Sequence, residues 1–171
     1  MLKVFYQYGY VIIENTKAEE DEVINFAEKL GPVRATNFGK LFNVVSKPNP
    51  NDLAYTALEL TSHSDNPYRK PVPGIQLLHC IANESTGGDS SLVDGFSVSN
   101  FLKNNQPEFY KILTNTTVTF RFTDIDTILV DEAKLIELDH NNDFRQIRFS
   151  GRLDYVCLLY TSPSPRDGLG S

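Results

Sequence analysis

His63 and Asp65, in the stretch "SHSDNPYRKPVPGIQLLHC" (62–80), set an imidazole and a carboxylate two positions apart. On an extended strand residues i and i+2 project to the same face, so nitrogen and oxygen can reach one metal ion while Ser64 points away. One further histidine would complete the two-histidine, one-carboxylate set of non-haem iron oxygenases, which keeps adjacent coordination positions open for cosubstrate and oxygen. The same residues also read as a surface histidine beside a turn, because Asp65-Asn66-Pro67 is good turn chemistry. Only two other histidines are available. His79 lies in the apolar run "IQLLHCI", where a core residue with satisfied nitrogens is expected. His140 lies in the polar turn "ELDHNND", where a solvated ring is expected. Neither is expected to supply the third ligand.

The elements that must position this pair can be read from periodicity and turn chemistry. "YGYVIIEN" is apolar and β-branched and reads as a buried strand ending at Asn15. From Glu19 to Leu30 the apolar residues Val23, Ile24, Phe26, Ala27 and Leu30 fall on one helical face. Acidic residues sit in its first turn, and Gly31-Pro32 stops it. "LFNVVSKPNPNDLAYTA" reads as strand, loop and strand. "PGIQLLHCIA" and "SSLVD" read as strands separated by the turn "NESTGG". "GFSVSNFLKNNQPEFYKIL" suggests two short helices, the second with Pro107 in its first turn. "TVTFRF", "IDTILV", "KLIEL" and "RQIRFSG" continue as short strands. The pattern predicts one α+β, mainly β domain with an antiparallel, jelly-roll-like sheet and flanking helices.

Composition narrows the function classes. The 171 residues are 40% hydrophobic and 22% charged, with net charge -6 and no tryptophan, and the pI is near 5.0. These are ordinary globular values, and no basic stripe points to a nucleic-acid partner. No apolar run is long enough to cross a bilayer and no signal-peptide pattern begins the chain, so a cytoplasmic protein with a small-molecule substrate and no membrane partner is expected. Cys80 and Cys157 are too sparse to describe a disulfide framework.

The last fifteen residues depart from the strand-rich pattern. "CLLYTSPSPRD" (157–167) can be read as a flexible terminal tail. It also matches, residue for residue, a translation of the transposase adaptor ligated to sequencing libraries. The expectation is therefore a native domain over 1–156, a non-native, disordered tail over 157–171, and a fold incomplete at its C-terminus.

The order of motifs carries a resemblance. "TNFGKLFNV" and "AYTALELTSHSDNPYRKPVPGIQLLHCIANESTGGDSSLVDGFSV" resemble the γ-butyrobetaine dioxygenase branch of the taurine dioxygenase-like (TauD/TfdA) family of iron(II)/2-oxoglutarate oxygenases. His-x-Asp is followed by Pro-Gly-x-Gln-Leu-Leu-His-Cys, then by Gly-Gly-Asp-Ser and Asp-Gly, in that family's order, and the likeness runs over about 8–156. It implies a double-stranded β-helix (jelly-roll, cupin-like) core. It implies that His63 and Asp65 are catalytic iron ligands and that the Ser90 hydroxyl touches a carboxylate of 2-oxoglutarate. Phe38, Phe42 and Tyr55 take the positions of an aromatic cage for a trimethylammonium substrate such as γ-butyrobetaine. Taken singly, each aromatic also reads as ordinary core packing. At the first two cage positions phenylalanine replaces the family's tyrosine and tryptophan, and Asn66 stands where the animal-type enzyme has an aromatic.

Fe(II) and 2-oxoglutarate are the implied cofactors, with ascorbate as an accessory reductant and a homodimer as the full-length form. 2-Oxoglutarate would supply two electrons to dioxygen and leave as succinate and carbon dioxide, while the protein fixes geometry and aims the substrate carbon. The distal histidine and the 2-oxoglutarate-binding arginine are expected beyond Val156, so the chain as it stands is expected to hold iron poorly and to be inactive. The alternative is a non-catalytic jelly roll that binds a metal or ligand.

Overall fold

A computed structural model describes residues 1–44, 61–83 and 90–150 of the protein, together with the backbone of 155–158. In chain order the elements are α1 (Leu2–Tyr8), α2 (Glu22–Leu30), α3 (Gly95–Asn105), α4 (Pro107–Asn115), β1 (Thr117–Thr123), β2 (Ile128–Lys134), β3 (Ile136–Leu138), β4 (Phe144–Ile147) and β5 (Tyr155–Leu158). The chain divides into two compact units. One is formed by Met1–Asn43 with Ile75–Gly87, the other by Val44–Gly74 with Gly88–Ser171.

In the first unit α2 forms as its periodicity predicts. Glu22 lies in the first turn and Lys29 in the last, each matching the helix dipole. Val23, Ile24, Phe26 and Ala27 are half-buried on one face, whereas Leu30 is exposed. The run around Tyr10 to Asn15 is not the buried strand its β-branched residues predict. Residues 2–8 are helical, Gly9 caps them with φ 75°, and Ile12 is 77% exposed. β-Branched side chains favour a pleated surface but cannot supply the neighbouring strand that makes one. The same reason applies to "PGIQLLHCIA" and "SSLVD", whose described residues belong to no strand. Of "LFNVVSKPNPNDLAYTA", residues 41–44 carry no strand and 45–57 lie outside the described residues.

The second unit holds the secure elements. The two helices expected near Pro107 are α3 and α4, with the proline at the start of α4, where its missing N–H is no loss. β1 alternates, burying Val118 and Phe120 on one face. They form a core with Tyr68, and Phe122, Leu129, Ala133 and Leu135 pack against it. β2, β1 and β5 make one antiparallel sheet in that order, and β3 pairs with β4 in a second. Asp139 closes the β3–β4 turn by accepting the N–H groups of Asn141 and Asp143. The architecture is thus helices with small antiparallel sheets, consistent with a jelly roll. Cys157 and Leu158, expected to lie in a disordered tail, are the last residues of β5. An open sheet edge accepts any extended segment that can bond to it, whatever its origin. Residues 159–171 lie outside the described residues.

Candidate metal centre

Residues 61–65 carry no regular strand, yet His63 and Asp65 converge as the motif spacing suggests. His63 Nε2 stands 3.2 Å from Asp65 Oδ1. On the other side of the ring, Nδ1 is 2.7 Å from the carbonyl oxygen of Thr61. A carbonyl only accepts, so Nδ1 carries the proton and donates. In the neutral ring this leaves the Nε2 lone pair directed to the Asp65 side. It is the arrangement in which a backbone carbonyl fixes the tautomer of a metal-binding histidine. Both residues are half-buried, which leaves the pair reachable from solvent. Among the described residues no group of three or more His, Cys, Asp or Glu side chains could hold a metal. The residues present therefore fit two of the three protein ligands of such a site.

The turn after the pair is built as its sequence predicts. Asn66 adopts the left-handed region with φ 49°, which asparagine tolerates better than most residues. The Arg69 N–H closes the turn onto the Asn66 carbonyl at 3.1 Å. Tyr68 is 6% exposed, donates its hydroxyl to Asn66 Oδ1 at 2.6 Å, and stacks on Phe122 of β1 with centroids 5.0 Å apart. The loop bearing the pair is thereby fastened to the core sheet three residues after Asp65.

Ser64 does point away from the pair, although no strand makes it do so. Its N–H donates to the Phe149 carbonyl at 2.6 Å and its hydroxyl to the same oxygen at 3.2 Å. The Phe149 N–H donates back to Ser64 Oγ at 2.8 Å. Arg148, the neighbouring residue, is buried and meets two carboxylates. Its Nη1 lies 2.5 Å from Asp131 Oδ2 in β2, and its Nε lies 2.6 Å from Glu137 Oε1 in β3. The second contact is an ion pair without hydrogen-bond alignment. Nη1 also donates to the carbonyl of Pro67 at 3.1 Å, with the Arg69 carbonyl at 3.4 Å. The sequence reading missed Arg148. The available clue was an arginine set between Ile147 and Phe149 in a strand-like run.

The other site residues fall as follows. Ser90 is exposed and precedes the Asp94 cap of α3 by four positions. Asp94 Oδ1 accepts the Phe96 N–H at 2.9 Å and Oδ2 accepts the Ser97 hydroxyl at 2.6 Å. The Ser97 hydroxyl is the main reason the Asp94 carboxyl lies below its ordinary value. Desolvation opposes this, and the N–H groups of Ser97 and Phe96 lower it further. In the first unit, Phe38 and Phe42 come together with centroids 5.5 Å apart and planes inclined by 43°. Phe38 is held by the tight turn between Thr36 and Gly39, in which its N–H donates to Thr36 Oγ1 at 3.1 Å. Tyr55, the third cage position, lies outside the described residues.

His140 is exposed, as its turn predicts. His79 differs from expectation. It is half-buried, and neither ring nitrogen, though itself shielded from solvent, has a hydrogen-bond partner among the described residues. An apolar run offers a ring shelter but few polar partners. Cys80 is exposed and free.

Comparison with known proteins bears on what this pair serves. The family model described as "Taurine catabolism dioxygenase TauD, TfdA family" matches residues 1–159. A γ-butyrobetaine dioxygenase from Pseudomonas sp. (strain AK-1) is 37% identical over 145 residues, which is 85% of this chain and 38% of that protein. The human γ-butyrobetaine dioxygenase is 36% identical over 154 residues, covering 87% of this chain and 39% of the relative. A trimethyllysine dioxygenase from Meyerozyma guilliermondii is 32% identical over 152 residues, covering 87% and 38%. The chain thus spans about two fifths of the length of these relatives. With the His-x-Asp pair converged and the family model matching most of its length, the chain belongs to the TauD/TfdA family of dioxygenases.

Proposed function

We propose that the protein is part of an iron(II)- and 2-oxoglutarate-dependent dioxygenase that hydroxylates a small trimethylammonium compound, releasing succinate and carbon dioxide. The observation that carries this reading is the convergence of His63 Nε2 on Asp65 Oδ1 at 3.2 Å with the opposite ring nitrogen bonded to the Thr61 carbonyl. The relatives that are γ-butyrobetaine and trimethyllysine dioxygenases support the substrate class. His63 and Asp65 are the residues that would hold iron, and a third ligand comes from chain outside these residues. Iron and 2-oxoglutarate, when bound, supply the electrons and the oxidising power that C–H hydroxylation needs.

The protein's own contribution is geometric. The Thr61 carbonyl holds His63 through Nδ1, so the ring turns its other nitrogen to the Asp65 side. In this reading the Ser90 hydroxyl donates to a carboxylate of 2-oxoglutarate. Phe38, Phe42 and Tyr55 present ring faces to a quaternary ammonium, at about 0.5–2 kcal/mol per ring. Enclosure by aromatic walls also keeps water from the reacting carbon. The double-stranded β-helix and a cytoplasmic location belong to the same proposal.

The test is succinate release by the protein at the full length its source gene encodes, assayed with iron(II), 2-oxoglutarate and either γ-butyrobetaine or trimethyllysine. Substrate-coupled succinate with one of them is expected. Stoichiometric metal binding with no turnover on any trimethylammonium compound would make the protein a binding module instead.

A further inference from the structure

The residue between the two candidate ligands and a buried arginine far along the chain meet at one place. Arg148 and Phe149 follow β4, and the Arg148 N–H continues its pairing by donating to the Leu135 carbonyl at 2.9 Å. This pins the dipeptide to the sheet. From there the Phe149 backbone exchanges hydrogen bonds with Ser64, inside the His-x-Asp motif: its carbonyl accepts from the Ser64 N–H and hydroxyl, and its N–H donates to Ser64 Oγ. Arg148 reaches the carbonyls of Pro67 and Arg69, immediately after it. The motif is therefore held within and behind by two adjacent residues.

The electrostatics explain why the arginine stays put. Its guanidinium is nearly buried, and Asp131 and Glu137 face it from two strands. Glu137 is itself oriented, because its other oxygen accepts from Gln146 Nε2 at 2.8 Å. A planar fork with fixed N–H directions serves carboxylates and carbonyls from separate nitrogens, whereas a lysine has a single nitrogen for all of them. The loop 61–69 has no strand of its own to hold it. Its geometry is supplied from 148–149 and from the Tyr68 stack.

We propose that Ser64 and Arg148 are positioning residues for the metal pair: together with the Phe149 backbone they hold His63 and Asp65 in the geometry that binds a metal. The inference rests on the metal-site reading given above. Neither residue is placed on the metal or on substrate; both act through the backbone that carries the ligands. Outer partners of this kind typically change metal affinity by about 10- to 100-fold.

The experiment uses the 171-residue chain, isotopically labelled and free of metal, in two NMR measurements. Amide hydrogen exchange reads the clamp itself. A Mn(II) titration, followed by paramagnetic broadening of the His63 and Asp65 amides, reads metal affinity even at a weak two-ligand site. Ser64→Ala removes the hydroxyl without stranding a charge, and it is expected to speed exchange at Phe149 and to raise the half-broadening Mn(II) concentration by about 10-fold or more. Ser64→Thr keeps the hydroxyl and should restore both. Arg148→Lys, which keeps a cation beside the two carboxylates, should shift the Mn(II) midpoint in the same direction. Phe144→Ala destabilises the β3–β4 sheet that Arg148 continues, through a ring that packs on Phe96 of α3, and should leave the midpoint of the folded protein unmoved.

An unchanged midpoint in both Ser64→Ala and Arg148→Lys overturns the positioning role while leaving the metal site standing. So does a midpoint that moves equally in Phe144→Ala, since the effect is then general stability. Broadening in the unsubstituted chain that His63→Ala does not alter overturns the metal reading, and the positioning role with it.

Discussion

What His63 and Asp65 can bind turns on which of their atoms are left available. His63 has its Nδ1 occupied by a carbonyl and its Nε2 beside Asp65, so removing either side chain removes a donor that nothing nearby replaces among the described residues. Asp94 gives a pH prediction. Its carboxyl lies below the ordinary value of 3.8, mainly through the Ser97 hydroxyl. A depressed folded-state value means that the cap's contribution is fully present above the unfolded-state pKa and is lost as pH falls through the lower folded value. Protection of the α3 amides, taken as exchange relative to the intrinsic rate at each pH, should therefore hold from neutral pH to about 4 and fall below it. In Asp94→Asn that acid-induced step should vanish, and its persistence there would assign the step to another group. Phe42 gives a substrate prediction. Phe42→Ala should weaken binding of a trimethylammonium compound by about 2- to 30-fold, while its neutral tert-butyl analogue is affected less. Equal loss for both would reduce Phe42 to packing. The convergence of His63 with Asp65 and the Asn66 turn were legible in the sequence because they are local: a two-residue spacing and a turn preference. Ser64 and Arg148 were not, because what they do depends on a contact between positions 85 and 79–81 apart in the chain.

At the scale of elements, the secure ones are those whose signals are periodic and capped. α2, α4 and β1 follow from an apolar stripe, a proline at the first turn and strict alternation. The runs at 10–15, 73–82 and 90–94 have the composition of strands without a described ladder partner, and partnering is what sequence periodicity does not encode. β1 carries the greatest structural weight because Phe120 and Val118 are fully buried and Phe122 receives Tyr68. Phe120→Ala should cost about 3–5 kcal/mol of stability, measured by denaturant unfolding. A loss below about 1 kcal/mol would mean that β1 is not the core strand of its unit. Arg148→Met should be costly for a different reason. It leaves Asp131 and Glu137 facing each other without their cation, which typically costs about 3–5 kcal/mol. Replacing both carboxylates by amides in that background should recover part of the loss.

At the scale of the whole molecule, family membership follows from a match over residues 1–159, whereas the relatives extend well beyond the 38–39% of their length that this chain covers. The sequence made the family legible because motif order, from His-x-Asp through Gly-Gly-Asp-Ser to Asp-Gly, is retained along the chain. The most direct measurement is an anaerobic titration of iron(II) and 2-oxoglutarate into the protein at the full length its source gene encodes, followed by the charge-transfer absorption that chelation of iron by 2-oxoglutarate produces. A band that saturates at one iron per chain and is abolished in both His63→Ala and Asp65→Ala is expected. A band of undiminished intensity in either variant would contradict iron binding by this pair, because the iron would then be held elsewhere.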